Sequence, residues 1–465
     1  MKLHRLVALI AIAIAPPVAS AQSAPTGPEL RARLDSLAES FVKDAPAAAL
    51  TAAVVRGSDT LLLKGYGEAD RAQHRAASAN TVYRIGSITK QFTASAVMQL
   101  VEQGRLSLAD TLGKFVPGYP RWGGVTIRQL LNHTSGIPIY TANRVLMSRR
   151  GEDLAADSVL DAIKSDTMDF APGTRYRYNN SGYFLLGRVL EQVTGTPYPT
   201  LVQQRLFTPL ELKSATYCPR TSTGDQATGY ARDGSSLRVA KTISMSLPYS
   251  AGGLCMSVPD YLRWQSALTG GRVVKPVSYA LMSSSDTLPN GTKTGYGYGL
   301  GVARIGTRTV ISHSGGIDGF TSYAMWVPDD SLRVVVFTNT EGVAPDKLGR
   351  NLAAAVFGLP LVKEAVLPPA APLTAAERAA FVGNYDLTLP NGIVLPFTIT
   401  EENGQLFGQA AGPGQGKIPL VYLGSNNFGA AFDPTMRLTM VMMDGKAVSV
   451  ILQQRGAVIQ GTRRP

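Results

Sequence analysis

The segment Glu364-Ala-Val-Leu-Pro-Pro-Ala-Ala-Pro372 divides this chain of 465 residues. Proline lacks a backbone N–H and fixes φ, so neither a helix nor a central strand runs through such a segment. It reads as a stiff, extended linker. The sequence is patterned differently on its two sides. After it come the short apolar runs Thr398-Ile-Thr400, Gln405-Leu-Phe407, Leu420-Val-Tyr-Leu423, Leu438 to Met443 and Val448 to Leu452. Asn403-Gly404 and Asp444-Gly445 supply hairpin turns between them. Residues 373–465 therefore read as a small all-β barrel or sandwich. Before the linker, strand and helix patterns mix. Thr51 to Gly67 reads as a hairpin turning at Gly57-Ser58-Asp59, and Thr309 to Thr340 as three strands. Ser87 to Gln103 reads as a helix, with Phe92, Val97, Leu100 and Val101 on one face and Gly104 as its stop. Ser257-Val-Pro-Asp260 has capping-box spacing and opens another. The expected class is α+β, with helices around an antiparallel sheet, plus the C-terminal all-β domain.

The first residues read as an export signal. Lys2 and Arg5 precede the apolar run Leu6 to Ala15, and Ala19-Ser20-Ala21 is a small-x-small cleavage pattern. The predicted organisation is a signal peptide at 1–21, a hydrolase-sized domain at 22–363, the linker at 364–372 and the β domain at 373–465. Cleavage after Ala21 would deliver a secreted or periplasmic protein, and no other stretch is long and apolar enough for a transmembrane segment. Export permits a disulfide between Cys218 and Cys255; two separate buried thiols fit the sequence equally well.

Composition excludes several function classes. Two cysteines cannot build a four-thiolate zinc site, and His-x-x-x-His spacing is absent, so no metal or organic cofactor is expected. The net charge of +12 lacks the basic clusters with interleaved aromatics of a nucleic-acid binder; only pairs such as Arg149-Arg150 and Arg463-Arg464 occur. The expected partner is a small-molecule or peptide substrate.

Three motifs carry chemistry. Ser87-Ile-Thr-Lys90 opens a helix, so positions i and i+3 share a face and the amine reaches the hydroxyl. A serine needs such a neighbour to become a nucleophile. The spacing alone also arises by chance: Ser40-Phe-Val-Lys43 shows it inside an amphipathic helix, without a flanking glycine. Tyr178-Asn179-Asn180 supplies a phenol able to relay a proton and an amide able to hold a carbonyl. His313-Ser314-Gly315-Gly316 ends a strand pattern in glycines, which marks a close backbone or ligand approach. The backbone N–H groups of Ser87 and Gly316 are candidate oxyanion donors. Asn132-His133-Thr134-Ser135-Gly136 reads as a structural turn with its histidine satisfied by backbone.

The ordered set Ser-x-x-Lys, Tyr-x-Asn and His-x-Gly resembles the serine β-lactamase and penicillin-binding-protein superfamily. It is most similar to the class C, D-peptidase and esterase branch. Tyr83-Arg-Ile-Gly-Ser-Ile-Thr-Lys90, Leu130-Leu-Asn-His-Thr-Ser-Gly136, Tyr178-Asn-Asn-Ser-Gly-Tyr183 and His313-Ser-Gly315 carry the resemblance over about residues 28–360. The tail, with Phe381-Val-Gly-Asn-Tyr385, resembles the lipocalin-like β domain appended to such hydrolases. The resemblance implies an acyl-enzyme on Ser87, proton transfer by Lys90 and Tyr178, substrate binding by Asn180, His313, Ser314 and Gly315, and an oxyanion hole at Ser87 and Gly316. His313 stands where β-lactamases usually carry lysine. A mostly neutral ring holds a carboxylate less strongly, which favours D-amino-acid peptides, amides or esters over β-lactams. The alternatives are a β-lactamase proper, or a silent peptide- or peptidoglycan-binding protein on the same scaffold.

Overall fold

The computed structural model describes residues 27–44, 47–219, 224–233, 236–362, 370–388, 394–410, 417–430, 433–454 and 457–464. The predicted signal peptide and most of the proline-rich linker lie outside the described residues. The chain forms two compact units. One takes in the chain up to Pro138 together with Arg150–Leu361; the other takes in Ile139–Arg149 and Val362–Pro465.

The first unit is built on a seven-stranded antiparallel sheet of β1 (Ala49–Arg56), β2 (Asp59–Asp70), β3 (Arg75–Ala76), β4 (Gly301–Ile305), β5 (Arg308–Ile317), β6 (Phe320–Val327) and β7 (Leu332–Thr338). The spatial order is β3-β2-β1-β7-β6-β5-β4. The expected hairpin and three-strand run are thus joined through β1 and β7, with Ala52 opposite Val336 and Val54 opposite Val334. The helices named here are α1 (Gly27–Asp44), α2 (Thr89–Glu102), α3 (Asn180–Thr194), α4 (Val258–Thr269) and α5 (Pro345–Val356).

Strand side chains alternate between faces, and the central strands are apolar on both because both faces are covered. Leu50, Ala52, Val54, Val334, Val336, Tyr323 and Met325 pack with Leu30 and Leu34 of α1 and Leu348 and Leu352 of α5. Residues of the opposite parity, such as Phe337, meet Tyr83 and Tyr261 edge-on, with ring centroids 6.3 and 5.6 Å apart. Trp264 of α4 stacks on Phe92 of α2 at 3.9 Å. Among the described residues, no helix is long and apolar enough to cross a membrane.

The capping box expected at Ser257 does not form. The Asp260 carboxylate instead accepts from the backbone N–H and the hydroxyl of Ser214, both at 2.6 Å. A long-range partner outcompetes the local one. Cys218 and Cys255 form a disulfide with a sequence separation of 37. Cys255 lies in strand Leu254–Ser257, which pairs with Val82–Arg84 just before Ser87.

In the second unit nine strands form one antiparallel sheet. Its terminal strands, Ile418–Pro419 and Val421–Gly424, are separated only by Leu420, so the sheet curls into a nearly closed barrel. Asn403, Gly404, Asp444 and Gly445 all have positive φ, as tight hairpins require. Phe381, Tyr385, Phe397, Ile399, Phe428, Leu438 and Val450 fill the interior.

Replacing both Cys218 and Cys255 with serine should destabilise the chain by about 4 kcal/mol through restored loop entropy. Denaturant titration checks this; an unchanged midpoint contradicts it.

Candidate active site

Ser87 sits in a single 3₁₀ turn, Gly86–Ile88, that feeds α2. The turn is fixed from two sides. Ile85 N donates to Leu254 O at 3.0 Å, and Ser322 Oγ donates to Ile85 O at 2.8 Å. Gly86 has φ +50, and a Cβ there would lie 2.8 Å from Gly316 N. Glycine is therefore needed both for the backbone conformation and for the approach of β5. A Cβ on Gly315 would overlap Ile85 O and Ser322 Oγ. The two glycines let the strand carrying Gly316 lie against the Ser87 turn.

Lys90, one helical turn on, is completely buried. Its Nζ donates to Ser87 Oγ at 3.0 Å, Asn180 Oδ1 at 2.8 Å and Ala251 O at 2.9 Å. It also lies 4.8 Å from the centre of the Tyr178 ring. Burial drives its pKa well below the ordinary lysine value. An amine so held can take a proton from the hydroxyl it touches. The decoy Lys43 is instead exposed on α1 and pairs with Glu39 at 3.0 Å.

Asn180 is the first residue of α3, and Asn179 caps that helix by accepting from Gly182 N at 3.2 Å. The Asn179 amide also donates to Ile137 O. The middle residue of Tyr-Asn-Asn is thus structural, and its outer neighbours face the cleft chemistry.

Strand parity turns His313 towards Ser87, but its ring is fully engaged. Nδ1 donates to Ser314 O at 2.6 Å, which leaves Nε2 to accept from Tyr296 OH at 2.9 Å. Burial first, and the charge of Lys90 second, push its pKa down to about 3. Burial likewise keeps the Tyr296 hydroxyl protonated, well above the usual tyrosine range. Tyr296 was not singled out from the sequence. Its signal is the run Gly295-Tyr-Gly-Tyr-Gly299: Gly299 has φ +71, and a Cβ on it would lie 2.7 Å from Lys90 O.

Ser87, Tyr178, Tyr296, Gly301, Ser312, His313, Ser314, Gly315 and Gly316 line an open cleft of about 460 Å³. None of these residues bears a formal charge. The predicted residues Ser87, Lys90, Tyr178, Asn180, His313, Ser314, Gly315 and Gly316 therefore converge on one place, with Gly315 contributing backbone rather than open space. Among the described residues, no cluster of three His, Cys, Asp or Glu side chains could hold a metal ion.

The beta-lactamase family pattern matches residues 34–359. A D-aminopeptidase of Brucella canis is 29% identical over 357 residues, covering 74% of this chain and 64% of the relative. The chain thus spans somewhat under two thirds of that relative's length. An octameric penicillin-binding protein homologue from Pyrococcus abyssi superposes with a TM-score of 0.65 at 26% identity, over 93% of this chain and 99% of the other. A D-stereospecific amidohydrolase from Streptomyces sp. superposes with a TM-score of 0.62 at 27% identity, over 70% and 98%.

Gly315→Ala should force β5 away from the Ser87 turn, lowering the melting temperature and slowing serine labelling by a fluorophosphonate at least tenfold. Calorimetry and intact-mass kinetics read both; wild-type values contradict the packing account. The rate of Ser87 acylation should fall as pH drops through the lowered Lys90 pKa, because the ammonium cannot accept a proton. The midpoint of that limb is expected well below 10.5, and a midpoint near 10.5 contradicts it.

Proposed function

This chain belongs to the beta-lactamase family, and on that premise we propose that it is a serine hydrolase of D-amino-acid amides, peptides or esters. The carrying observation is the Lys90 amine, buried and bonded to Ser87 Oγ and Asn180 Oδ1. Ser87 Oγ attacks the substrate carbonyl carbon while its proton passes to the Lys90 and Tyr178 pair. The oxyanion draws on the N–H groups of Ser87 and Gly316. The C–N or C–O bond then breaks as the proton reaches the leaving group. Water attacks the resulting ester, the acid departs and Ser87 regains its proton.

The D-amino-acid class is supported by the D-aminopeptidase and the D-stereospecific amidohydrolase among the similar proteins. Neutral amides and esters are favoured over β-lactams because the cleft lining is uncharged. In addition, both His313 nitrogens already have partners within the fold. Action outside the cytosol is part of the proposal. The signal-like start and the Cys218–Cys255 bridge support it.

The test uses full-length mature protein with p-nitroanilides of D- and L-alanine, p-nitrophenyl acetate and a chromogenic cephalosporin. The D-anilide should turn over at least tenfold faster than the L-anilide. A fluorophosphonate should add once by intact mass, and Ser87→Ala should abolish both reactions. Absence of an adduct, its persistence in Ser87→Ala, or a cephalosporin as the best substrate overturns the proposal.

A further inference from the structure

His133 lies outside the three motifs, yet the fold brings it into the middle of the site. It occupies the turn after Leu131 with φ +61, and it is buried. Its ring centroid lies 4.4 Å from Tyr178, 4.7 Å from Tyr296 and 5.1 Å from Tyr183.

Two hydrogen bonds tie this one residue to the segment carrying Tyr178. Arg177 N donates to His133 O at 3.0 Å. Asn179 N donates to His133 Nδ1 at 3.1 Å. Thr134 O accepts from Gly173 N at 2.8 Å further back along the same segment. The side chain therefore adds one more rung to a backbone ladder, and Tyr178 sits between the two residues held by that pair. Because Nδ1 accepts, it carries no proton. Burial keeps the ring neutral and preserves this acceptor.

We propose that His133 is a positioning residue for the hydrolysis inferred above: through its carbonyl and its Nδ1 it clamps Arg177 and Asn179 and so fixes the Tyr178 phenol over Lys90. The inference rests on the proposed function for its catalytic consequence, but the clamp itself is a property of the fold.

The acceptor and the volume of the ring can be separated. His133→Asn places a carbonyl oxygen near the position of Nδ1, and asparagine tolerates positive φ. It leaves a void among the tyrosines. His133→Phe fills the void and removes the acceptor. The clamp predicts that His133→Asn, whatever its melting temperature, keeps kcat per titrated serine within about threefold of wild type. His133→Phe should lose at least tenfold in kcat with KM little changed. A merely structural role predicts that activity follows the melting temperature instead.

The amide of Asn179 supplies a readout independent of turnover. Its hydrogen exchange should be slow in wild type and His133→Asn, and at least tenfold faster in His133→Phe. Equal exchange in all three, or equal kcat loss in the two variants, overturns the clamp. If His133→Phe does not fold, His133→Asn alone decides: retained kcat and slow Asn179 exchange support the clamp, and their loss overturns it. If wild type proves inactive on every substrate, the proposed function fails while the exchange comparison still decides the clamp.

Discussion

A fully buried lysine amine governs the architecture of this site. Taking an ammonium out of water is costly unless its N–H groups are satisfied or its proton is given up. Lys90 lies among three oxygens from separate parts of the chain, Ser87 Oγ, Asn180 Oδ1 and Ala251 O; once neutral, it keeps N–H donors for Asn180 and Ala251 and turns its lone pair to the Ser87 hydroxyl. Each oxygen requires its own element in place. Ser87 needs the turn locked by Ile85, Asn180 needs the capped start of α3, and Ala251 needs the segment leading into the strand that carries Cys255. The disulfide, the two close glycine contacts and the Asn179 cap all serve the same convergence.

The uncharged cleft follows from the same constraint. A second cation beside Lys90 would compete with it, and His313 is held neutral by burial and by that neighbour. Tyr296 then completes the ring's hydrogen bonds, so the third motif acts as a rigid neutral wall.

Much of this was legible in the sequence because it is local. The Ser87–Lys90 spacing, the hairpin around Gly57, the three strands of Thr309 to Thr340, and the turns at Asn403-Gly404 and Asp444-Gly445 are set by neighbouring residues. The mixture of helix and strand in one region and the all-β pattern in the other were legible from local periodicity. What escaped depends on distance along the chain. Tyr296 reaches His313 from a glycine-rich loop, and Ala251 contributes a carbonyl that no side-chain pattern announces. His133 is the turn residue with a backbone partner expected from the sequence, but which backbone group it meets, Asn179 N, depends on the distant segment. Ser257 and Asp260 have capping spacing, but Ser214 arrives to take the carboxylate. The Cys218–Cys255 pairing, left open by the sequence, required the register of three strands.

The most direct test of this account is the titration of Lys90 itself in the folded protein, followed by the 13Cε resonance in lysine-labelled enzyme and assigned by its disappearance in Lys90→Met. The account predicts that this resonance titrates well below 10.5. A Lys90 resonance that titrates at 10.5 or above would contradict the central claim that burial delivers a neutral base to Ser87.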